Sequence, residues 1–360
     1  MTQEYQQYAG QLKNQKLFEL EDLYQARLET YIPALQEHFC DTCETILHLQ
    51  QQKKLGKLSY LEYTLLLTNI IRHQMSAEIR VYDDRWYFDA GQLAVASLDC
   101  SFFLRKYQEL WDELMSARKR FQKTGPAQET TAFLLSCASQ FYKYIVSALR
   151  FSILPCTEKE PFVSIQRAEE FEINAGEYMA HTEAVYKENH KRTSREALEW
   201  FAMREEYDYA FESFTGLDFS GADLSEIDLR YADLRKTSLN NTDFQDSMLF
   251  GTRFCHASMQ HTDLRYCLLH ESDFTGADLT NARFTAAKAY RGVPDSDRWS
   301  ITGYRSVSFR NANLTHADFT RTNIKDADFT GAIMDGTRID RGQLHQFALS
   351  PAQLQAIRLV

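Results

Sequence analysis

Large apolar side chains recur at every fifth position from Phe219 to Phe284, through Leu224, Leu229, Leu234, Leu239, Phe244, Leu249, Phe254, Met259, Leu264, Leu269, Phe274 and Leu279. Fourteen consecutive hits against a 44% hydrophobic composition are no accident of content. A period of five belongs neither to a helix (3.6) nor to a strand (2), so the repeat itself, not local propensity, sets the fold of this half. Two residues before each centre the side chain is mostly small, as at Ala222, Ala232, Thr242, Ala257, Ala277 and Ala282. Just before the centre stands Asp, at Asp218, Asp223, Asp228, Asp233, Asp243, Asp263, Asp273 and Asp278.

This pattern, A(D/N)LXX, resembles the pentapeptide-repeat family over roughly residues 217–346. The resemblance implies a right-handed quadrilateral β-helix: four pentads make one coil, the centre and the small residue point inward, and the other three positions face solvent. The chemistry of the sequence fits, because a narrow core takes one large and one small layer and no unpaired charge.

Residues 287–306, AKAYRGVPDSDRWSITGYRS, interrupt the rhythm, which returns in phase at Phe309. If twenty residues make a coil, Trp299 and Tyr304 fall in inward columns above Leu279 and Phe284. Retained phase favours a distorted coil, bulged over about 288–298. A free loop is the alternative.

Residues 1–213 carry a different pattern. Ser59 with Glu62, and Thr193 with Glu196, have capping-box spacing. Pro33, Gly56, Thr124-Gly125-Pro126, Pro155 and Pro161 divide the half into pieces of helical length. Helices are expected near 3–30, 33–55, 59–82, 90–123, 127–153 and 193–213. Residues 156–190 are ambiguous; FVSIQ and FEINA suit short strands, with a helix to follow. Ser350-Pro351-Ala352-Gln353 reads as a helix start, with LQAIRLV as an amphipathic helix over the last coil. The expected architecture is α+β and multidomain: a mainly α-helical domain over 1–213, a solenoid over 214–346 and a C-terminal capping helix in 347–360.

Composition sharpens this only a little. The net charge is −10, which argues against a direct nucleic-acid binder. The helical half holds most of it, with 24 Lys+Arg against 32 Asp+Glu. The polar amino terminus does not read as a secretory signal, and the apolar run at 63–71 is too short to span a bilayer. Seven scattered cysteines read as reduced thiols in a cytoplasmic, bacterial-type protein, with no membrane association.

Exposed positions of such a solenoid are normally polar, so apolar exceptions carry information. Met248 and Leu268 both precede a centre and stand twenty residues apart, which stacks them between Asp228 and Lys288. Phe250 lies beside them. With Lys288 and Arg291 they form an apolar patch with a basic edge, suited to a protein partner, to a homodimer mate, or to the protein's own helical half.

Other chemistry is weaker. Cys40 and Cys43, with His38 and His48 nearby, lack a second ligand pair for zinc, and no metal or cofactor is assigned. The cluster RVYDDRWYFD at 80–89 offers Asp83, Arg85 and Trp86 as recognition groups in the helical half, although connections between elements often carry such residues. No phosphate-binding loop, GxSxG or HExxH is present. The leading expectation is a non-enzymatic interaction or scaffold protein that presents a rigid wall to a protein partner. The alternatives are an enzyme or ligand-binding protein with its pocket in the helical half, and a DNA mimic of the kind this family uses to protect topoisomerases from quinolones. The outward aspartates are interleaved with arginines, and 213–346 has a net charge of only −3 by sequence, which weighs against mimicry.

Overall fold

The computed structural model describes residues 2–83, 93–121, 127–178, 180–205, 208–292 and 302–360. The chain divides into two compact units. One comprises 1–188 together with 293–303; the other comprises 189–292 and 304–360.

The first unit begins with helix α1 (Gln3–Gln51), opened by Thr2, whose hydroxyl accepts the Tyr5 N–H. The break expected at Pro33 is absent: Pro33 lies inside α1. A proline removes one helical hydrogen bond, but Leu28, Leu35 and Phe39 on either side are buried in the same core and keep the two stretches aligned. Next come β1 (Leu58–Leu65), the short helix α2 (Leu67–Ile71), β2 (Ser76–Asp83), β3 (Leu93–Asp99), α3 (Ser101–Ala117), α4 (Ala127–Ile153), β4 (Arg167–Glu177) and β5 (Thr182–Asn189). The strands form one sheet in the order β3-β2-β1-β4-β5. β1 runs antiparallel to β2 and parallel to β4.

Helices α1, α3 and α4 fit the expectation of a mainly helical domain broadly, but a five-stranded sheet that was not expected runs alongside them. The segment 59–82, expected as one helix, is β1-α2-β2, and the helix expected over 90–123 begins only at Ser101, after β3. The capping-box spacing at Ser59 and Glu62 is fortuitous. The decisive signal is alternation: Leu61, Tyr63 and Leu65 are buried opposite Val81, Ile79 and Ala77, and Ile173 and Ala175 lie across β4. Aromatic and β-branched residues with period two fit a pleated, half-buried surface better than a helix. FEINA lies in β4, but a strand follows it where a helix was expected, and Phe162–Ser164 of FVSIQ is a 3-10 turn. Helix α4 occupies the 127–153 segment as expected.

The second unit opens with helix α5 (Ser194–Phe201), whose Thr193 and Glu196 form the expected reciprocal cap. α5 stops well short of residue 213. Its Phe201 ring packs on Phe214 and Phe219 at 4.9 and 5.3 Å. From Ser213 onward the backbone pairs in parallel with residues twenty further along, as Asp218 with Ser238, Asp228 with Met248 and Met248 with Leu268. Four pentads therefore make one coil, and all fourteen centres from Phe219 to Phe284 are at most 1% exposed.

Each pentad turns a corner in the same way. The residue two past the centre takes a positive φ, from Gly221 and Glu226 through Tyr231 and Lys236 to Asp326 and Gly336. The aspartate before the centre secures that corner. Ten of them accept the backbone N–H of the residue two positions on, as Asp218 does from Ser220 at 2.9 Å and Asp273 from Thr275 at 2.9 Å. This is the turn that Asp and Asn form with their own backbone, and it explains the D/N preference. Hydroxyls at the small inward site are satisfied across coils: Thr242, Ser247, Thr252 and Thr262 donate to the carbonyls of Phe219, Leu224, Leu229 and Leu239.

The interruption is an insertion and not a distorted coil. Asp273 pairs with Ser308, Asp278 with Asn313, Arg283 with Asp318 and Lys288 with Asn323, each 35 residues apart. Fifteen residues, three pentads, have been added. Glu271 N–H donates to Arg305, the place Tyr290 would hold in an unbroken coil, so the excursion runs from Tyr290 to Tyr304. Leu314 follows Leu279 in its column and Phe319 follows Phe284, at 4.5 Å. Tyr304 is therefore outside the inward column expected for it, and Trp299 lies outside the described residues. Gly292 and Tyr304 pair antiparallel at the neck, with mutual hydrogen bonds of 3.0 and 2.9 Å. Gly303, grouped with the first unit, donates its N–H to Glu21 Oε2 at 3.1 Å and accepts from Gln25 Nε2 at 3.3 Å.

At the end of the chain, α6 (Pro351–Ala356) starts at Ser350 as expected, but it is short. Its successor β7 (Arg358–Leu359) pairs in parallel with β6 (Arg338–Ile339).

Candidate functional site

The wall expected to dock a partner exists as a backbone column: Asp228, Met248, Leu268 and Lys288 are successive bridge partners. Met248 and Leu268 are half-buried, while Lys288 and Arg291 are exposed. Their backbones are held by inter-coil hydrogen bonds of 2.9 Å (Met248 N–H to Ile227) and 3.1 Å (Leu268 N–H to Ser247). Met248 and Leu268 therefore stand next to each other with Lys288 above.

Phe250 is half-buried, as Met248 and Leu268 are. It is engaged in a cluster of four rings around the neck of the excursion. Phe250 meets His270 edge-on at 4.9 Å and Tyr304 at 5.1 Å, and His270 meets Tyr290 at 4.3 Å and Tyr304 at 4.8 Å. His270 is 2% exposed, and among the described residues neither ring nitrogen has a hydrogen-bond partner. Burial, assisted by the Lys288 charge, pushes its pKa down to about 4. Tyr304 is pushed up to about 12 by burial and by the Glu271 carboxylate. Beside the cluster, Glu271 accepts from the Arg305 N–H and from the Tyr231 hydroxyl, both at 2.9 Å. The sequence does contain a signal for this cluster that reading by centres passes over: Phe250, His270 and Tyr290 are spaced by twenty residues, each just after a centre.

The first unit contributes less. Asp83 is buried at the end of β2, where its Oδ2 accepts the Gly56 N–H at 3.2 Å; this ties the loop before β1. Arg85 and Trp86 lie outside the described residues. Cys43 is buried, and burial raises its thiol pKa, which is the opposite of what a thiolate ligand or nucleophile needs. Among the described residues no group of three or more His, Cys, Asp or Glu is placed to hold a metal. A cavity of about 440 Å³ lies between the start of α1 and the end of α3, lined by Glu4, Tyr8, Ala117, Arg120 and Phe121.

A different part of the sheet escaped sequence reasoning. On the polar side of β1 and β2, Glu62 accepts from the Tyr82 hydroxyl at 3.1 Å, Arg80 pairs with Glu78 at 2.6 Å, and the Arg80 guanidinium stacks 4.3 Å over the Tyr178 ring. Burial raises the Glu62 pKa. Period-two patterning brings these groups together, so a helical reading of 59–82 hides them.

Electrostatically the coils are interleaved and not acidic throughout. Arg230, Arg235 and Arg265 reach back to Asp228, Asp233 and Asp263 at 2.7–2.8 Å, and Arg283, Arg310 and Arg338 pair with aspartates of neighbouring coils.

The Pentapeptide repeats family matches in eight copies, over residues 213–246, 247–287 and 305–340. This part of the chain is built of pentapeptide repeats. The unmatched stretch 288–304 in this part of the chain corresponds to the excursion. Similar solved structures include a pentapeptide repeat protein of the cyanobacterium Cyanothece 51142 (19% identity, 35% of this chain and 86% of that one, TM-score 0.29). Another is a pentapeptide repeat protein of the Arabidopsis thaliana thylakoid lumen (25% identity, 35% of this chain and 74% of that one, TM-score 0.17). A third is QnrB1, described as a plasmid-mediated fluoroquinolone resistance protein (17% identity, 43% of this chain and 87% of that one, TM-score 0.15). No curated protein matches the chain. Among the described residues, no helix is long and apolar enough to cross a membrane.

Proposed function

We propose that this pentapeptide-repeat protein is a non-enzymatic, cytoplasmic interaction protein. Its coils, wound as a right-handed quadrilateral β-helix and closed by the C-terminal segment, present the Met248–Leu268 wall to a protein partner. The observation that carries this reading is the pairing of Met248 with Leu268 on adjacent coils, two half-exposed apolar side chains in a column that starts with Asp228 and runs up to exposed Lys288. Because the backbone under them is already hydrogen-bonded, binding there orders little extra chain. Arg291 and Lys288 supply a basic rim, which suits an acidic partner. Phe250, half-buried and engaged in the ring cluster, borders the wall and adds to the apolar patch.

The aspartates argue against the DNA-mimic alternative. Ten of them are spent on corner N–H groups, and several are further neutralised by arginines. A gyrase supercoiling assay is expected to show no protection by the protein.

The test is affinity capture with purified wild type against the double variant Met248→Asp, Leu268→Asp. The reading requires that a specific partner seen with wild type is lost with the variant. Equal capture by a variant whose circular dichroism is unchanged would refute the wall as the docking site.

A further inference from the structure

We propose that the buried imidazole of His270 is an acid-operated latch on the neck of the excursion: while neutral it holds Tyr290 and Tyr304 against Phe250, and once protonated it releases them. The geometry supplies the argument. His270 stands one past its centre, where this fold ordinarily exposes a polar side chain, yet it is 2% exposed because rings cover it: Phe250, Tyr290 and Tyr304, with centroids 4.9, 4.3 and 4.8 Å away. Tyr304 comes from 34 residues further along the chain and also forms the Gly292 bridge that closes the neck. Tyr304 therefore belongs to both the ring cluster and the backbone bridge.

Neutral imidazole tolerates this box, although its two nitrogens lack partners among the described residues. Imidazolium does not, because it adds a charge and a second N–H donor to an apolar enclosure. Among the described residues, the charged groups that face the ring offer no relief. Lys288, on the same wall, is a cation and opposes protonation. Glu271, the next residue, has its two carboxylate oxygens engaged by the Arg305 N–H and the Tyr231 hydroxyl. Arg230, which faces Tyr304, is a cation held by Asp228 at 2.8 Å. The Tyr290 and Tyr304 rings meet His270 through their aromatic surfaces, at 85° and 42°. Protonation is most easily accommodated by letting water in, which means parting Tyr304 from His270.

Linkage sets the size and direction. The imidazole titrates near 4 in the closed box and near 6.5 when solvated, so opening takes up a proton between those values. Between pH 7.5 and pH 5 the opening equilibrium should rise about thirtyfold.

The experiment is hydrogen–deuterium exchange of the full chain at both pH values, corrected for the intrinsic pH dependence of exchange, and read at the amides of residues 289–292 and 302–305. Wild type should lose protection about thirtyfold there. His270→Phe, which keeps an uncharged ring in the box, should lose less than about threefold, since it has no proton to take up. Equal loss in both proteins, or full protection of the wild-type neck at pH 5, would overturn the latch. Should His270→Phe fail to fold, the wild-type coils provide the control. Loss confined to the neck, with Phe309, Asn311 and Leu314 still protected, supports the latch; uniform loss across the coils refutes it.

Discussion

Phe309 stacks on Phe274 with ring centroids 5.1 Å apart and planes within 7°, although 35 residues separate them where the coil repeat would place 20. The column runs on at the same spacing, Phe254 below at 4.9 Å and Phe329 above at 5.2 Å. The chain left the coil for fifteen residues and resumed without disturbing a single layer of rings.

Removal of the excursion should therefore be tolerated by the coils. Deleting residues 290–304 joins Ala289 to Arg305 and restores the twenty-residue spacing throughout. Deleting twelve residues from the same stretch shifts every later centre out of phase and turns Phe309 and Leu314 toward solvent. Thermal unfolding by circular dichroism should show a cooperative transition for the fifteen-residue deletion. The twelve-residue deletion should lose cooperativity in the second unit.

Phase arithmetic also explains what could and could not be read in advance. The repeat unit of the second half was legible, because every centre and every corner aspartate repeats the same local chemistry. The insertion was not, because twenty residues of coil and fifteen extra residues plus one pentad preserve the same phase. Only the stacking partner of Phe274 separates the two. In the first half, Ser59 and Glu62 mimicked a helix start while the alternation Leu61, Tyr63, Leu65 was the true signal, so the sheet was missed and the polar face with Glu62 and Arg80 went with it. The Met248–Leu268 column was legible from spacing alone. The burial of His270 was not, since Tyr304, which covers it, joins the cluster only through the excursion.

Truncation of a stacked ring should be costly. Phe274→Ala leaves a hole between Phe254 and Phe309 in a fully buried column, and a loss of about 3–5 kcal/mol is expected. Ile333→Ala, at an outward site that is 52% exposed, should cost under about 0.5 kcal/mol. Urea unfolding of both variants gives the comparison. Similar midpoints would mean that the ring column is not the core it is taken to be.

The Asp278 carboxylate makes a pH-dependent contribution. Burial alone would raise its pKa, but hydrogen bonds from Gln260, Thr280 and Asn313 outweigh it and lower the value below 3.8. A depressed carboxylate pKa means stability that is fully present above the unfolded value and lost as pH falls through the folded one. Asp278→Asn keeps an acceptor for the corner N–H and has no charge to titrate. The difference in stability between wild type and this variant should hence be constant above about pH 5 and shrink below about pH 4. Unfolding midpoints from pH 3 to pH 7 test this, and a difference that grows toward acid would reverse the assignment.

Gly251 shows how one coil constrains the next. Its φ is +61°, a region where a Cβ costs about 1 kcal/mol or more. The Tyr231 ring of the coil below also lies directly against the place a Cβ would occupy, while its hydroxyl reaches Glu271 in the coil above at 2.9 Å. Gly251→Ala should thus destabilise by about 2 kcal/mol or more, part from backbone and part from the ring. Tyr231→Ala removes the clash but also the Glu271 hydrogen bond. In a double-mutant cycle, Gly251→Ala should cost less on the Tyr231→Ala background than on wild type, by about 1 kcal/mol. Strict additivity would show that the ring moves aside freely and that the span from Tyr231 over Gly251 to Glu271 does not hold the corner.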